Sequence, residues 1–345
     1  MQLFTHQDFD GHELVSFASD AETGLRAIIA IHSTRRGPAA GGCRLWRYET
    51  EADALRDALR LSRGMSLKNA VAGLDLGGGK AVIMLAPGQT KTPELMRAFG
   101  RAVERLNGLY ITAEDVGVST ADMVEVSRET SHVAGLPDGE FASGDPSPVT
   151  ARGVFESLRI GVEQVMGRDD LRGVTVAVQG LGHVGQHLCQ MLHDHGARLI
   201  VTDIDESRCR DAAARFGAEI RPVAGFHATE CDVYAPCALG GTLSARSIPE
   251  MTSKLVAGAA NNQLETEADA ERLHRQGVTY MPDFLINAGG ISNVAAEIAG
   301  RPAAEFVENW FPGFRQQVRE VMTRAAADDV SPHVIAVQIA RERLR

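Results

Sequence analysis

The feature that most constrains the fold is a glycine-rich hexapeptide, GLGHVG, at residues 180–185. It follows an apolar segment, VTVAV (174–178), and begins a helical pattern over 183–194. A second apolar segment, RLIVT (198–202), comes next and ends beside Asp203. Glycine patterns alone are common at turns, but the order strand, glycine turn, helix, strand and acid is typical of a dinucleotide-binding Rossmann fold. We therefore expect a parallel sheet in the second half of the chain.

Each part of this motif has a physical role in holding a dinucleotide. Gly180 and Gly182 permit a tight turn whose backbone N–H groups approach the pyrophosphate at a helix N-terminus, and Gly185 lets that helix pack closely. Asp203 accepts hydrogen bonds from ribose hydroxyls and repels a 2′-phosphate, so NAD is preferred over NADP, with Arg208 weakening this preference slightly. The predicted cofactor contacts are Gly180, Leu181, Gly182, His183, Val184, Gly185 and Asp203.

The rest of the chain alternates strand and helix patterns, which favours an α/β architecture. In the first half we predict strands over 25–32, 81–85 and 109–112, and helices over 50–70 and from Pro93 to Leu106. In the second half, apolar segments supply later strands of the parallel sheet, and residues at their carboxyl ends face a ligand crevice. The segments are 231–238, 255–260 and 278–287, and the crevice residues are Asn261, Asn262 and Asn287.

The segment PDGEFASGDPSP (137–148) interrupts both periodicities with prolines and glycines, and it is the strongest linker candidate. We therefore predict a substrate-binding and oligomerisation domain over 1–145 and an NAD-binding domain over 146–330. The tail, 331–345, is expected to pack back on the first domain.

Composition excludes several classes of function. A net charge of −10 opposes binding to a nucleic-acid backbone. No apolar run approaches the ~20 residues of a membrane span, and no secretory leader is evident, which predicts a cytoplasmic protein without a membrane role. The five cysteines form no CxxC pair, and His193 and His195 point to different sides of a helix, so no metal site is expected.

A second motif, RGMSLKNAVAGLDLGGGKAVI (63–83), carries the chemistry. Three glycines and a lysine before a buried strand are poor strand or helix material, and they suggest that backbone approaches a ligand closely. Lys68 and Lys80 stand in apolar surroundings, where a solvated lysine is unexpected. From spacing alone, an equally good interpretation is that both side chains reach the surface along their aliphatic stems.

This segment resembles the catalytic region of the Glu/Leu/Phe/Val dehydrogenase family, with the greatest likeness to its leucine-specific members. The likeness continues in order through TAEDVG (112–117), DPSPVTARGV (145–154), CALGG (237–241), AGAANNQL (257–264) and INAGGISNVA (286–295). The resemblance implies an N-terminal α/β substrate and oligomerisation domain and a C-terminal Rossmann domain, with the active-site cleft between them. It also implies NAD-dependent deamination of an amino acid to a 2-oxo acid and ammonia by a homo-oligomer.

Residue by residue, the resemblance implies that Lys68 binds the substrate carboxylate, that Lys80 is the general base, and that Asp115 is its proton-transfer partner. A lysine beside another cation and shielded from water has a pKa lowered towards neutrality, which suits a base. Three further positions resemble those around the nicotinamide, its ribose and the point where cofactor and substrate meet: Thr150, Asn262 and Asn287.

The substrate prediction depends on Ala40. Glutamate-specific members have a lysine at this position of the GPAxGG loop, so glutamate is disfavoured, and leucine-specific members have a larger apolar residue. We therefore predict an apolar L-amino acid, leucine or another branched-chain one, with phenylalanine or another aromatic as the alternative. The expected substrate contacts are Ala40, Gly41, Met65, Ala113, Ile291 and Val294. Ordinary core packing is the alternative explanation for four of them, Ala40, Ala113, Ile291 and Val294.

Two other classes compete with this interpretation. A non-catalytic NAD-binding regulator would keep the nucleotide fold, but it would not need the set Lys68, Lys80 and Asp115. A hydroxy acid dehydrogenase would need a His/Asp or Arg arrangement, and no clear arrangement of that kind is present in the sequence.

Overall fold

A computed structural model describes residues 3–139, 141–142 and 144–345, in which the chain forms two compact units. The chain passes from the first unit to the second between Gly144 and Asp145, inside the predicted linker, of which Glu140 and Ser143 lie outside the described residues. The assignment of substrate binding to one unit and NAD binding to the other stays a prediction. The first unit contains Met1–Gly144, Asn293–Phe306 and Ala340–Arg345, and the second contains Asp145–Ser292 and Val307–Ile339.

The first unit is built on one mixed sheet. Its strands are β1 (Leu14–Asp20), β2 (Leu25–Ser33), β3 (Ala39–Trp46), β4 (Gly77–Met84) and β5 (Tyr110–Glu114). Their order is β1-β2-β4-β3-β5, with β1 antiparallel to β2, β2 antiparallel to β4, and β3 parallel to both β4 and β5. The three parallel strands therefore bring their carboxyl ends to one edge of the sheet.

Helices cover both faces of this sheet. They are α1 (Glu51–Val71), α2 (Pro93–Glu104) and α3 (Thr120–Ser127). Leu55 and Leu59 of α1 belong to one apolar cluster with Val82, whereas Phe99 of α2 belongs to another with Ala81. Neighbouring residues of a strand point to opposite faces, so α1 and α2 lie on opposite sides. The helix predicted over 50–70 is confirmed.

The three glycines before Lys80 lie inside β4, so the prediction that they precede the strand was wrong. A Cβ atom at Gly77 would lie 2.1 Å from the carbonyl oxygen of Ser33, and one at Gly78 would lie 2.1 Å from the backbone nitrogen of Ser66 in α1. At Gly79 the nearest atom, 2.6 Å away, belongs to the ring of Tyr110. Close packing on both faces of the strand requires glycine here.

The second unit contains a six-stranded parallel sheet with the strand order of a Rossmann fold. Its strands are β6 (Thr175–Gln179), β7 (Arg198–Thr202), β8 (Glu219–Ile220), β9 (Val233–Pro236), β10 (Leu255–Val256) and β11 (Thr279–Tyr280). The order is β11-β10-β9-β6-β7-β8, and every neighbouring pair is parallel. The connections reverse direction between β6 and β9, which is where such folds bind ligands.

The helices of the second half are α4 (Ser147–Met166), α5 (His183–Asp194), α6 (Glu206–Phe216), α7 (Ala268–Arg275), α8 (Asp283–Ile286), α9 (Gly289–Ile298), α10 (Ala303–Asp328) and α11 (Pro332–Arg343). The segment 278–287 contains only a two-residue strand, because Pro282 ends it and α8 follows. Among the described residues, no helix combines the length and apolar character needed to cross a membrane.

Candidate active site

A buried ion pair joins β4 to the turn after β5. Lys80 is only 6% exposed, and its Nζ lies 2.6 Å from Oδ2 of Asp115. Asp115 directly follows β5 and accepts a hydrogen bond at its carbonyl oxygen from the backbone of Val118 (2.9 Å), which closes the turn. Lys80 therefore does not reach the surface along its stem, and a partner of opposite charge compensates the desolvation of its ammonium group.

A second cation contacts the same carboxylate oxygen. Arg44 of β3 donates from Nε to Oδ2 of Asp115 (3.2 Å) and from Nη1 to Oδ2 of Asp57 on α1 (3.0 Å). The hydroxyl of Tyr48 also donates to that oxygen of Asp57, at 2.7 Å. No role was predicted from the sequence for Arg44, Asp57 or Tyr48. The one available signal was a charged residue, Arg44, within a segment that is otherwise small and apolar.

The electrostatics of the site favour an ionised Asp115. Burial opposes ionisation of this carboxyl group, but the charge and hydrogen bond of Lys80, together with the charge of Arg44, lower the pKa of Asp115 below its usual value. Burial raises the pKa of the Cys43 thiol and of the Tyr110 phenol, and both groups lie near Asp115. Cys43 and Tyr110 therefore stay neutral at ordinary pH, while Asp115 carries a charge.

The segment around Ala40 is a buried strand, β3, and not the loop that the sequence analysis assumed. Ala40 is 1% exposed and is paired with Gly78 of β4 and Ile111 of β5. Small residues have low strand propensity, but pairing on both sides fixes the extended backbone here. The hydroxyl of Tyr110 donates to the carbonyl oxygen of Gly41 at 2.6 Å and so fixes the next peptide group.

The structure brings several of the predicted substrate residues of the first unit together. Ala113 is paired with Gly42 across β5 and β3, and a Cβ atom at Gly41 would lie 3.3 Å from Cγ of Met65 on α1. Lys68 lies one helical turn beyond Met65 and is half-buried. Two predicted wall residues, Ile291 and Val294, are half-buried on α9. Ile291 belongs to the second unit and Val294 to the first.

In the second unit the glycine motif has the predicted conformation. Gly180 has φ +102°, in the region that favours glycine, and a Cβ atom at Gly185 would lie 2.1 Å from the carbonyl oxygen of Gly180. Gly182 is the N-cap of α5, and a Cβ atom there would meet only open space. Leu181 is buried, Val184 is half-buried and His183 is exposed.

Asp203 lies directly over this turn. Its Oδ2 accepts a hydrogen bond from the backbone nitrogen of Leu181 at 2.6 Å, and its Oδ1 accepts one from Asp205 at 2.8 Å. The open cap of a twelve-residue helix and an acid anchored beside the turn fit the pyrophosphate and ribose of a dinucleotide.

The predicted residues at the carboxyl ends of the strands also come together. The side-chain amide of Asn287, 4% exposed, donates to Oδ1 of Asn261 at 2.8 Å and to the carbonyl oxygen of Ala259 at 3.2 Å. Its own Oδ1 is buried and has no hydrogen-bond partner within the described part of the chain, so it is an acceptor suited to a ligand donor. Asn262 is exposed with φ +52°, and the hydroxyl of Thr150 donates to Pro146.

Among the residues that the structure describes, no group of three or more His, Cys, Asp or Glu side chains could hold a metal ion. The five cysteines are free thiols.

A lysine–aspartate pair in an α/β unit and a glycine turn in a Rossmann unit together define a dinucleotide-dependent dehydrogenase. The model for the dimerisation domain of Glu/Leu/Phe/Val dehydrogenase matches residues 13–132. The model for Glutamate/Leucine/Phenylalanine/Valine dehydrogenase matches residues 143–208 and 201–333. The chain belongs to this family, and it is an amino acid dehydrogenase. Membership supports the prediction of NAD as the cofactor.

Relatives of known name cover almost the whole chain. A leucine dehydrogenase from Geobacillus stearothermophilus is 45% identical over 100% of this chain and 94% of its own. An L-tryptophan dehydrogenase from Nostoc punctiforme is 46% identical over 87% of this chain and 84% of its own. The crystal structure of L-tryptophan dehydrogenase from the same species superposes with a TM-score of 0.87 at 39% identity, covering 97% of this chain and 96% of that one.

Proposed function

We propose that this protein catalyses the reversible, NAD-dependent oxidative deamination of an apolar L-amino acid, leucine or another branched-chain one, to the 2-oxo acid and ammonia. The observation that carries the proposal is the contact of 2.6 Å between the buried ammonium of Lys80 and the carboxylate of Asp115. A non-catalytic regulator would not need such a pair. Burying a charged side chain costs several kcal/mol, and leaving a buried charge without its partner costs about 3–5 kcal/mol.

The roles of the first unit's residues follow from this chemistry. Bound NAD supplies the acceptor for the hydride that leaves Cα. Lys68 binds the substrate carboxylate and so orients Cα. Lys80, in its neutral form, accepts a proton from the substrate ammonium group and passes it to Asp115. Lys80 next takes a proton from the water that attacks the imine carbon and releases it to solvent. Asp115 returns its proton to the amino group of the carbinolamine, and Lys80 takes the hydroxyl proton as the C–N bond breaks, C=O forms and ammonia leaves.

The residues of the second unit hold the cofactor in this proposal. The backbone of the turn over 180–185 binds the pyrophosphate, and Asp203 accepts hydrogen bonds from the ribose. Thr150 and Asn262 lie around the nicotinamide and its ribose. The unpaired Oδ1 of Asn287 accepts a hydrogen bond from a donor of the cofactor or substrate.

Aromatic amino acids are the second candidate substrate class, and Ala40 is the observation that favours them. Its methyl group leaves more space in a side-chain pocket than the larger residue of leucine-specific members. The similarity to an L-tryptophan dehydrogenase supports this alternative. Gly41, Met65, Ala113, Ile291 and Val294 complete the apolar wall of the proposed pocket.

The proposal is tested with the purified protein, NAD and a panel of L-amino acids, following the absorbance of the reduced nicotinamide. We expect turnover with leucine, valine, isoleucine or an aromatic amino acid, and at most weak turnover with glutamate. Absence of turnover with every amino acid, together with intact NAD binding, would support the non-catalytic regulator instead.

Replacing Ala40 by leucine tests the pocket. The added methylenes fill space that a large side chain needs, so we expect the ratio of kcat/KM for phenylalanine over valine to fall about ten- to a hundredfold. The matched control is Ala52→Leu, at an exposed position of α1 outside the proposed pocket wall, which should leave the ratio unchanged. An unchanged ratio in Ala40→Leu would make Ala40 a packing residue, since it is already 1% exposed.

Replacing Asp203 by serine tests the cofactor preference. The wild type is expected to prefer NAD because the Asp203 carboxylate repels a 2′-phosphate, and the substitution removes that charge. We expect the ratio of kcat/KM for NAD over NADP to fall by about tenfold or more, in line with a charge contact of ~1.5–3 kcal/mol. Asp211→Ser, on the exposed surface of α6, is the control. A wild type that prefers NADP would contradict this role.

We also propose that the chain forms a homo-oligomer through its first unit and acts in the cytoplasm. The description of the matched N-terminal model as a dimerisation domain supports the first point.

A further inference from the structure

We propose that Arg44 is a positioning residue for the reaction, which holds the Asp115 carboxylate against Lys80 and, together with Asp57, sets the pH range in which that pair exchanges protons. This inference rests on the proposed function, because it concerns the same lysine and aspartate.

The hydrogen bonds of Arg44 fix the position of the Asp115 carboxylate. Nε and Nη1 of one guanidinium group donate to two different carboxylates, to Oδ2 of Asp115 at 3.2 Å and to Oδ2 of Asp57 at 3.0 Å. A guanidinium group is planar, so holding it at two points fixes the direction of both hydrogen bonds. Because Lys80 and Arg44 meet on one oxygen of Asp115, the carboxylate cannot rotate away from Lys80 without losing both contacts.

Asp57, which binds the guanidinium of Arg44, and Tyr48, which binds Asp57, lie in different parts of the first unit. Asp57 lies on α1, and its Oδ2 also accepts a hydrogen bond of 2.7 Å from the hydroxyl of Tyr48, in the connection between β3 and α1. The side chains of Arg44, Asp57 and Asp115 are each about a quarter exposed, at 23%, 28% and 23%. Solvent therefore screens these charges only in part, and a change in any of them is felt by its neighbours.

The four charges alternate in sign along this chain of contacts, from Lys80 through Asp115 and Arg44 to Asp57. Removing the positive charge of Arg44 leaves an excess negative charge, which favours protonation of the pair and raises the pKa of Asp115. Removing the negative charge of Asp57 has the opposite effect and lowers the pKa of Asp115. A role that is only structural would reduce the rate without moving the pH profile in opposite directions.

The other titratable groups near the pair do not reproduce this pattern. Burial raises the pKa of Cys43 and of Tyr110, and burial with the hydrogen bond to Asp57 raises that of Tyr48, so all three are neutral in the working range. The amino group of the free substrate titrates equally in every variant, so differences between the kcat/KM profiles of the variants report groups of the protein.

The experiment measures kcat and kcat/KM against pH for the wild type and for Arg44→Gln, Arg44→Lys and Asp57→Asn in the full chain. We expect the midpoints of Arg44→Gln to move to higher pH by about 1 unit, the lower end of the shift for a neighbouring charge. Asp57→Asn should move them by a smaller amount to lower pH. Arg44→Lys should keep the midpoints at the wild-type pH but not the full kcat. Lysine keeps the positive charge but lacks the planar guanidinium that binds two carboxylates at once.

Arg47→Gln is the matched control. Arg47 follows β3 directly, and its guanidinium binds only the carbonyl oxygens of Ala86 and Gln89, each at 2.6 Å, among the described contacts. Its profile should coincide with that of the wild type. If Arg44→Gln does not fold, Asp57→Asn still tests the proposal through the sign of its shift, and Arg44→Lys tests it through midpoints that stay at wild-type values.

Midpoints that stay at wild-type values in Arg44→Gln, or that move in the same direction in Arg44→Gln and Asp57→Asn, would overturn the inference while leaving the proposed function intact. A wild type that oxidises no amino acid would overturn both.

Discussion

Replacing Lys80 by alanine is expected to lower kcat by about 10²–10⁴, the usual cost of losing a general base. The substitution removes the one group in direct contact with Asp115 that can exchange a proton with the substrate in the proposed mechanism. NAD binding should change little, because the glycine turn and Asp203 belong to the other compact unit. The measurements are steady-state kinetics with the preferred amino acid and titration of NAD by calorimetry.

Lys254→Ala is the matched control for this loss, because Lys254 is exposed in the second unit and has no place in the mechanism. It should keep wild-type kinetics. Near-normal kcat in Lys80→Ala would remove Lys80 from the mechanism, and a lost affinity for NAD would show that the substitution disturbs more than the base.

Asp115→Asn is expected to have the second largest effect. The amide has the same shape but no charge, so the two cations Lys80 and Arg44 face each other without the anion between them. We expect kcat to fall by about 10²–10⁴ because the proton acceptor is lost. The free energy of unfolding should also fall, by about 1–3 kcal/mol, because a charged hydrogen-bond acceptor is removed.

Asp75→Asn is the matched control for the effects on kcat and on stability. Asp75 pairs with Arg36 at 3.0 Å in the same unit, but its side chain is 95% exposed, so both kcat and stability should stay near wild-type values. Thermal unfolding and kinetics are measured on the same preparations. If Asp115→Asn loses stability and keeps kcat within a few-fold, Asp115 serves only to hold the buried charge of Lys80.

The sequence predicts best what depends on neighbours along the chain. The helix over 183–194 and the strand over 198–202 are observed with the predicted bounds. Here the glycine turn, the helical periodicity and the acid follow one another within 24 residues, from Gly180 to Asp203. Gly180 and Gly185 have the conformation and the close contact that their roles require.

What depends on distant parts of the chain could not be predicted. β3 is a strand because β4 and β5 pair with it on both sides, although its glycines and alanines favour no strand. Arg44 binds carboxylates that are 13 and 71 positions further along the chain. No spacing rule joins such residues, so the spacing left the burial of Lys80 open and gave no indication that Arg44, Asp57 and Tyr48 lie beside Asp115.

The glycine strand before Lys80 has a consequence for altering the substrate range. At each of Gly77, Gly78 and Gly79, any side chain would begin at 2.6 Å or less from atoms of Ser33, Ser66 or Tyr110, and two of these contacts are with backbone atoms, which cannot rotate aside. These positions are therefore closed to directed evolution, and randomising them would mostly yield unfolded protein. Substitutions meant to alter the proposed substrate pocket are therefore better placed at Ala40 on β3 or Ala113 on β5, which leaves β4 and the position of Lys80 unchanged.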